Sequence, residues 1–410
     1  MSGKVILRKR ERHSRLPRIN EIIVTCPGGA EETLANELLA LGYSNPRIDN
    51  GAVRVESDIQ GVFDANALVR TGSRVLVPLE PLTVSSYDRL YDTVYAIPWE
   101  TLIEPRNTFR IDATTRSSTL RDHRFVAMRT KDAIVDRQRE RFSGKRSSID
   151  KNEPNVIVNV FVGASSGEVS IDSSGAPLHE RGYRLEAGAA PLRETVAAML
   201  VLEMHHAWNE RAQNTDGTGV PLRVVDPFCG SGTLLIEAAL FYTQRGPGTL
   251  GRGFAWNRWP WLEEGSRSGA RRRASAPGSA SQIPAFVGID RDRSVIEKAR
   301  RNAARAGVSH LVDFEEGDFR RRLPSLLHAT GGYMLANPPY GERMQPEDLR
   351  SVYTDFGAIL REEAGGWIVG VLTTDRTLSG LLRLRPDSTK TVFNGAIPCS
   401  FTRYTIFTRP

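Results

Sequence analysis

The chain reads as two kinds of structure in series: an α+β half of mixed element order, then a doubly wound α/β half built on a mostly parallel sheet. Three observations predict this. From residue 191 onward, short apolar runs alternate with segments of helical periodicity, as expected of a parallel sheet covered by helices on both faces. The last two strand-like runs, 390–394 and 401–408, flank a short proline-containing turn and so close the sheet as an antiparallel hairpin. Ahead of residue 163 there is no βαβ repetition, and 410 residues leave room for about two to four domains.

Glu21 to Cys26 is a short apolar run that reads as a buried strand, followed by a turn at Pro27-Gly28-Gly29. Leu34, Leu38 and Leu41 recur at helical spacing over residues 30–41, and Gly42 ends that helix. Strands follow at 52–56, 74–79 and 109–113, the last alternating as a half-buried strand does. Residues 122–142 form a helix with Phe125, Met128, Ile134 and Val135 on its apolar side. Asn155 to Val162 is a β-branched run suited to a strand. Residues 163–190 are rich in Gly and Ser, contain Leu178-His179-Glu180-Arg181-Gly182-Tyr183-Arg184, and read as a linker. In the second half a helix covers 192–208, and strands are expected at 223–226, 285–290, 311–315, 333–336 and 367–373. Helices follow the first two of these strands, over 234–242 and 293–306, the second closed by Gly307. Residues 264–284 form a low-complexity loop that includes Arg271-Arg272-Arg273.

Charged residues make up 25% of the chain and hydrophobic ones 40%, an ordinary globular balance that excludes wholesale disorder. No apolar run approaches the roughly 18 residues of a membrane span, and the basic first 20 residues lack the apolar stretch of a secretory leader. Cys26, Cys229 and Cys399 are too scattered for a disulfide framework or a metal site, so a reducing, cytoplasmic setting is expected. Nothing in the sequence specifies an oligomeric state. The net charge of +7 is unevenly placed: residues 4–18 carry seven Lys/Arg against one acid, and residues 106–146 carry twelve against five. Two basic segments in the first third, with the remainder net acidic, are the footprint of a polyanionic partner.

The chemistry concentrates at strand ends. Asp226-Pro227-Phe228-Cys229-Gly230-Ser231-Gly232-Thr233 joins a strand to a helix, the ligand position of an open α/β sheet. Gly230 and Gly232 let backbone approach a ligand closely, and the free N–H groups of the next helix face it. No Gly-Lys-Ser/Thr follows, so this is not a P-loop, and the acid ahead of the glycines favours a ligand with positive charge. Asp290, next to Arg291, closes the following strand, where a carboxylate can accept from both hydroxyls of a ribose. Asp318, next to Phe319, follows the third, where it can accept from an exocyclic adenine amine. One such acid is commonly only a helix cap, but three at successive strand ends point to one shared ligand. Asn337-Pro338-Pro339-Tyr340 ends another strand. Its prolines turn the backbone stiffly out of the sheet and leave the Pro338 carbonyl without a ladder partner. Asn337 adds a second acceptor and Tyr340 a flat ring, a set able to grip an exocyclic NH2 while stacking on the base.

These four stretches resemble, in order and spacing, the class I S-adenosylmethionine-dependent methyltransferases that modify exocyclic amines. The N-terminal half resembles a THUMP RNA-binding domain preceded by a ferredoxin-like domain. The matching stretches there are Pro27–Glu32, Arg70–Leu76, Lys131–Asp136 and His179–Arg184, and Pro191–Thr195 resembles the helix that opens the family's catalytic domain. Within the family the similarity points to the bacterial 23S ribosomal RNA guanine-N2 methyltransferases of the RlmL type, with one catalytic domain and no second one fused behind it. The resemblance implies a Rossmann-like seven-stranded sheet whose last hairpin is antiparallel. It implies a basic arm at 1–19, a ferredoxin-like domain at 20–65, a THUMP domain at 66–163, a linker at 164–190 and a methyltransferase domain at 191–410. The implied cofactor is S-adenosylmethionine, held by Asp226, Pro227, Phe228, Gly230, Gly232, Thr233, Asp290, Arg291, Asp318, Phe319 and Asn337. The implied catalytic set is Asn337, Pro338, Pro339 and Tyr340, with no metal. Structured RNA is the implied partner, ribosomal RNA ahead of transfer RNA. The competing expectations are a transfer RNA guanine-N2 enzyme, a DNA adenine-N6 enzyme, against which the basic N-terminal half argues, and a non-catalytic RNA-binding scaffold.

Overall fold

The computed structural model describes residues 19–83, 85–117, 119–186, 192–213, 223–263, 283–327, 331–339 and 345–408. The expected basic arm and the low-complexity loop lie almost entirely outside these residues, and Tyr340 lies outside them as well. The described residues form two compact units. The smaller gathers 77–173 with the segment from 255, and the larger gathers 21–76, 174–254 and the C-terminal part of the chain.

In the larger unit, β1 (Glu21–Thr25) pairs antiparallel with β3 (Ala52–Glu56) on one side and with the start of β4 (Arg74–Thr83) on the other. β2 (Ser44–Asp49) adds to the far edge of β3. Helices α1 (Glu31–Ala40) and α2 (Ile59–Leu68) cover this sheet, and Ile22, Val24, Leu34, Leu38 and Val62 are fully buried between the layers. Asp58 begins α2 by accepting the Gly61 N–H at 2.8 Å, an N-cap that satisfies one of the four orphan donors of a helix start.

The same unit contains a seven-stranded sheet in the order β11-β10-β9-β12-β13-β15-β14. Its strands are β9 (Arg223–Asp226), β10 (Ala285–Asp290), β11 (Val312–Glu316), β12 (Gly332–Ala336), β13 (Ile368–Thr373), β14 (Ser388–Asn394) and β15 (Ile397–Thr405). β9 to β13 run parallel, while β15 is antiparallel to both β13 and β14, which is the expected terminal hairpin. α5 (Glu194–Gln213), α6 (Thr233–Tyr242) and α7 (Arg293–Ala306) pack into one apolar cluster, and α8 (Phe319–Leu327) and α9 (Pro346–Glu363) into another. The strand order reverses at β9, so the carboxyl ends of β9, β10, β11 and β12 open onto the crevice where ligands bind in such sheets.

The small antiparallel sheet and the catalytic part of this unit share a core. The Phe393 N–H donates to the Gly28 carbonyl at 3.0 Å, and a Cβ on Gly29 would meet the Thr391 carbonyl at 2.1 Å. Lys390 Nζ bonds Glu203 at 2.9 Å, and Glu203 also accepts from Thr33. Arg70, buried, donates to the carbonyls of Leu240 and Arg245 at 3.2 and 2.9 Å, while Glu37 accepts the N–H groups of Arg70 and Thr71 at 2.7 and 3.0 Å. Arg181 and Glu237, also buried, pair at 3.5 Å, and the Tyr183 hydroxyl donates to Glu237 at 2.9 Å. The His179–Arg184 stretch is therefore an internal brace.

The smaller unit pairs β5 (Thr108–Thr115) in parallel with β7 (Val156–Val162) and β6 (Ser148–Ile149), and β8 (Ser166–Asp172) antiparallel with β7. α3 (Tyr87–Ala96) and α4 (His123–Arg141) pack together, α4 capped by Asp122 accepting the N–H groups of Arg124 and Phe125 at 2.8 and 3.3 Å. Two expectations need correction. Residues 164–190, expected as a linker, contain strand β8, whose last four residues are buried. Met128, expected in the apolar face of α4, is 44% exposed, and Val126 is buried instead. Arg137 is structural rather than free for a partner: it grips Glu100 through two bonds of 2.7 and 2.8 Å and also donates to the carbonyls of Tyr95 and Ala96. After α6 the chain returns to this unit. The Trp256 N–H donates to the Ser173 carbonyl at 3.1 Å and Arg258 to the Pro154 carbonyl at 2.9 Å. Among the described residues no helix is long and apolar enough to cross a membrane.

Candidate active site

A cavity of about 350 Å³ lies at the carboxyl ends of β9 to β12, within the larger unit. That volume suits a small-molecule ligand. Of the positions singled out from the sequence, Asp226, Pro227, Phe228, Gly230, Thr233, Asp290, Arg291, Asp318, Phe319, Asn337 and Pro339 line it. Gly232 and Pro338 do not, and Tyr340 lies outside the described residues.

The turn after β9 is shaped by its two glycines. Gly230 has φ +52° with nothing within 4 Å of a prospective Cβ, which leaves the backbone open toward the cavity. Gly232 has φ +85°, and a Cβ there would lie 2.8 Å from the Phe314 ring. It serves from behind, fixing the first turn of α6 against β11, which explains its absence from the cavity wall. Asn302 of α7, buried, donates to the Ser231 carbonyl at 3.2 Å and the Glu186 carbonyl at 3.1 Å, so the turn is held from the helix side too.

Asp226 is buried, and its carboxylate accepts the Phe228 N–H at 3.0 Å. Burial pushes its pKa up to about 8; the Phe228 hydrogen bond opposes the rise and the neighbouring Asp290 charge adds to it. Asp290 accepts the Gly230 N–H at 3.1 Å on one oxygen and the Asp292 N–H at 3.0 Å on the other. Both oxygens are thereby fixed at the rim, with lone pairs remaining for further donors. The Gly317 N–H donates to the Asp290 carbonyl at 2.9 Å, which locks the ends of β10 and β11 together. Asp318 caps the first turn of α8, accepting the Arg320 N–H at 2.9 Å. The aromatic wall comes from Phe228 and Phe319, ring centroids 4.9 Å apart, backed by Phe356 of α9.

At the fourth strand end, Asn337 faces the cavity, and its buried carboxamide oxygen has no hydrogen-bond partner among the described residues. A buried acceptor left unpaired costs about 1–3 kcal/mol, so this position is suited to a donor supplied by a ligand. The site fits an adenosine-bearing sulfonium: two rim carboxylates for ribose and amine, an aromatic wall for the purine, and an acid behind the turn for the positive charge. The sequence did not single out Leu192, Asp292, Val295, Gly317, Arg320 and Val352, which also line the cavity. Asp292 and Gly317 adjoin recognised acids and were within reach; Val352 comes from α9, a helix joined to the site only through folding.

An open sheet with this reversal, a glycine turn after the first strand and acids closing the next two define the class I methyltransferase architecture, with S-adenosylmethionine as methyl donor. Residues 181–403 match the RMKL-like methyltransferase domain, residues 84–172 the THUMP domain and residues 21–76 the RlmL ferredoxin-like domain. The chain belongs to the RMKL-like methyltransferase family. It is 35% identical over 395 residues to the ribosomal RNA large subunit methyltransferase K/L of Syntrophotalea carbinolica. That match covers 94% of this chain and 53% of the relative, so the chain spans about half the relative's length. Among solved structures, a protein of Clostridium difficile 630 described as a methylase superposes with a TM-score of 0.82 at 28% identity, covering 95% of this chain and 99% of that one. A Listeria monocytogenes protein described as an N6-adenine-specific DNA methylase gives 0.77 at 28% identity, covering 94% and 96%. SMU.472, crystallised with S-adenosylhomocysteine, shares the fold at 0.82 and 24% identity, covering 96% and 100%.

Proposed function

We propose that this protein transfers a methyl group from S-adenosylmethionine to the exocyclic N2 amine of a guanine in structured RNA, with large-subunit ribosomal RNA as the substrate. The observation that carries the reading is the buried carboxamide oxygen of Asn337, without a hydrogen-bond partner among the described residues, in the cavity that Asp226, Asp290 and Asp318 line. When bound, the cofactor supplies an electrophilic methyl on a positively charged sulfur. The chain's own residues then have to hold and orient a weak nucleophile, because the lone pair of a guanine amine is delocalised into its ring. Asn337 Oδ1 in the cavity wall and the carbonyl of Pro338, which adjoins that wall between Asn337 and Pro339, would accept the two N–H bonds of that amine and turn its lone pair toward the methyl. This is catalysis by positioning and preorganised dipoles, and proton loss to water after transfer needs no dedicated base. Tyr340 would stack on the base, which must leave its helix to reach the site.

Ribosomal RNA is favoured by the similarity to the Syntrophotalea carbinolica protein, and the basic residues at 106–146 support a polyanionic partner in general. In this reading the ferredoxin-like and THUMP domains, expected at 20–65 and 66–163, correspond to the matched residues 21–76 and 84–172, and the THUMP domain holds RNA phosphates in the cytoplasm. The description of the Listeria monocytogenes relative makes DNA adenine-N6 the second reading. One assay separates them: labelled methyl transfer into unmodified large-subunit RNA, transfer RNA and duplex DNA, followed by mass-spectrometric identification of the nucleoside. N2-methylguanosine in the large-subunit RNA is expected. Methylated adenine in DNA, or incorporation only into transfer RNA, overturns the assignment.

A further inference from the structure

Arg320 lines the cavity beside Asp318 and Phe319, outside the set of residues assigned to cofactor or base. Its Nε donates to Asp355 of α9 at 2.7 Å, and Ser351 of the same helix bonds Asp355 at 3.1 Å and lies 3.4 Å from Arg320. Its NH1 lies 3.3 and 3.4 Å from the two oxygens of Asp318, and its guanidinium sits 4.9 Å from the Phe319 ring centroid. One planar cation thus touches the carboxylate and the ring assigned to the adenine, and its other edge is anchored to α9. A guanidinium can bridge two carboxylates in fixed directions, which an ammonium cannot do. The long Arg320–Asp318 contacts leave Asp318 lone pairs for a further donor, while the shorter bond to Asp355 fixes where the guanidinium sits.

We propose that Arg320 is a positioning residue: held by Asp355, it aims the Asp318 carboxylate at the exocyclic amine of the cofactor's adenine and so sets the preference for adenine over other purines. The assignment rests on the cofactor reading above. α9 also contributes Val352 to the cavity wall and Phe356 behind it, so one helix carries both the anchor and part of the purine wall.

The test is calorimetry of the full-length protein and its variants with S-adenosylhomocysteine and with its inosine counterpart, which replaces the amine by a carbonyl. The parent should bind the adenine form more tightly. Arg320→Ala should weaken that form by up to about tenfold, the ceiling set by losing the charge-assisted hydrogen bond that Asp318 makes to the amine, and leave the inosine form within about twofold. Asp355→Asn, which keeps the guanidinium but weakens its anchor, and Arg320→Lys should lie between parent and Arg320→Ala. In an Asp318→Ala background, Arg320→Ala should change nothing further, because Arg320 acts through Asp318. In turnover, KM for S-adenosylmethionine should rise with kcat unchanged. If Arg320→Ala weakens both ligands equally, or adds its full effect in the Asp318→Ala background, the assignment is overturned while the cofactor reading stands. A parent protein that binds neither ligand overturns both.

Discussion

Replacing Asp226 by Asn should make the protein more stable at neutral pH and worse at holding its cofactor. Asp226 is 1% exposed, and its folded-state pKa of about 8 lies well above the usual carboxylate value near 4. Between those values the folded form keeps a proton that the unfolded chain has lost, so stability falls as pH rises and the loss is complete above about pH 8. At pH 7 the span is about three pH units at about 1.4 kcal/mol each, an upper limit of about 4 kcal/mol. Asparagine keeps an oxygen to accept the Phe228 N–H and has nothing to titrate. The variant should therefore gain up to that amount at pH 7, with the gain shrinking toward zero near pH 4. Urea unfolding of both proteins at half-unit steps from pH 4.5 to 8.5 reads the difference directly. Calorimetry at pH 8.5, where the folded-state Asp226 carboxyl is ionised, supplies the other half: the variant should lose more affinity for S-adenosylmethionine, which is cationic at sulfur, than for neutral S-adenosylhomocysteine. A stability difference that does not vary with pH would falsify the titration argument, and equal losses for the two ligands would remove Asp226 from the charge-sensing role.

Three further outcomes are expected. Asp290→Ala should weaken S-adenosylmethionine binding roughly tenfold or more, as removal of a charge-assisted hydrogen bond implies, and an unchanged dissociation constant would take it out of the cofactor site. Asn337→Ala should slow single-turnover methyl transfer about 100- to 1000-fold with RNA affinity nearly unchanged, since only one preorganised acceptor is removed; a parent-like rate would refute that role. RNA binding should weaken linearly in log–log salt titrations, and replacing exposed Arg124 and Lys145 together by Gln should lower the slope by somewhat under one unit for each phosphate they neutralise, whereas an unaltered slope would place the phosphates elsewhere.

The cavity was legible in the sequence because three of its acids sit at or just past the end of a parallel strand, where one residue marks both the element boundary and the open side of the sheet. Asp226, Asp290 and Asp318 needed only correct strand ends to fall together. The smaller unit was harder to read. Strand β8 hides in a Gly/Ser-rich stretch because its buried positions include Ser170 and Asp172, polar residues that lower the apolar signal. α9 went unread, and with it Val352 and Phe356, although one lines the cavity and the other backs its aromatic wall. Residues 255–258 follow a helix of the larger unit, and their place in the sequence puts them among the catalytic elements. Ala255 and Trp256 are nonetheless buried within the smaller unit, a pairing with Ser173 that no local pattern announces.

Neither compact unit is a continuous stretch of the chain. The larger is interrupted twice, once between residues 76 and 174 and again from 255, and the smaller takes its wall around Trp256 from beyond the first catalytic helix. Dissection within the expected linker at 164–190, for instance at residue 185, would therefore sever both. A fragment from 185 onward would lose the backbone that covers Thr391 and Phe393, and a fragment ending there would lack the Trp256 turn. A swap of the smaller unit between relatives of this architecture therefore requires exchanging two separate stretches at once, 77–173 and the segment from 255.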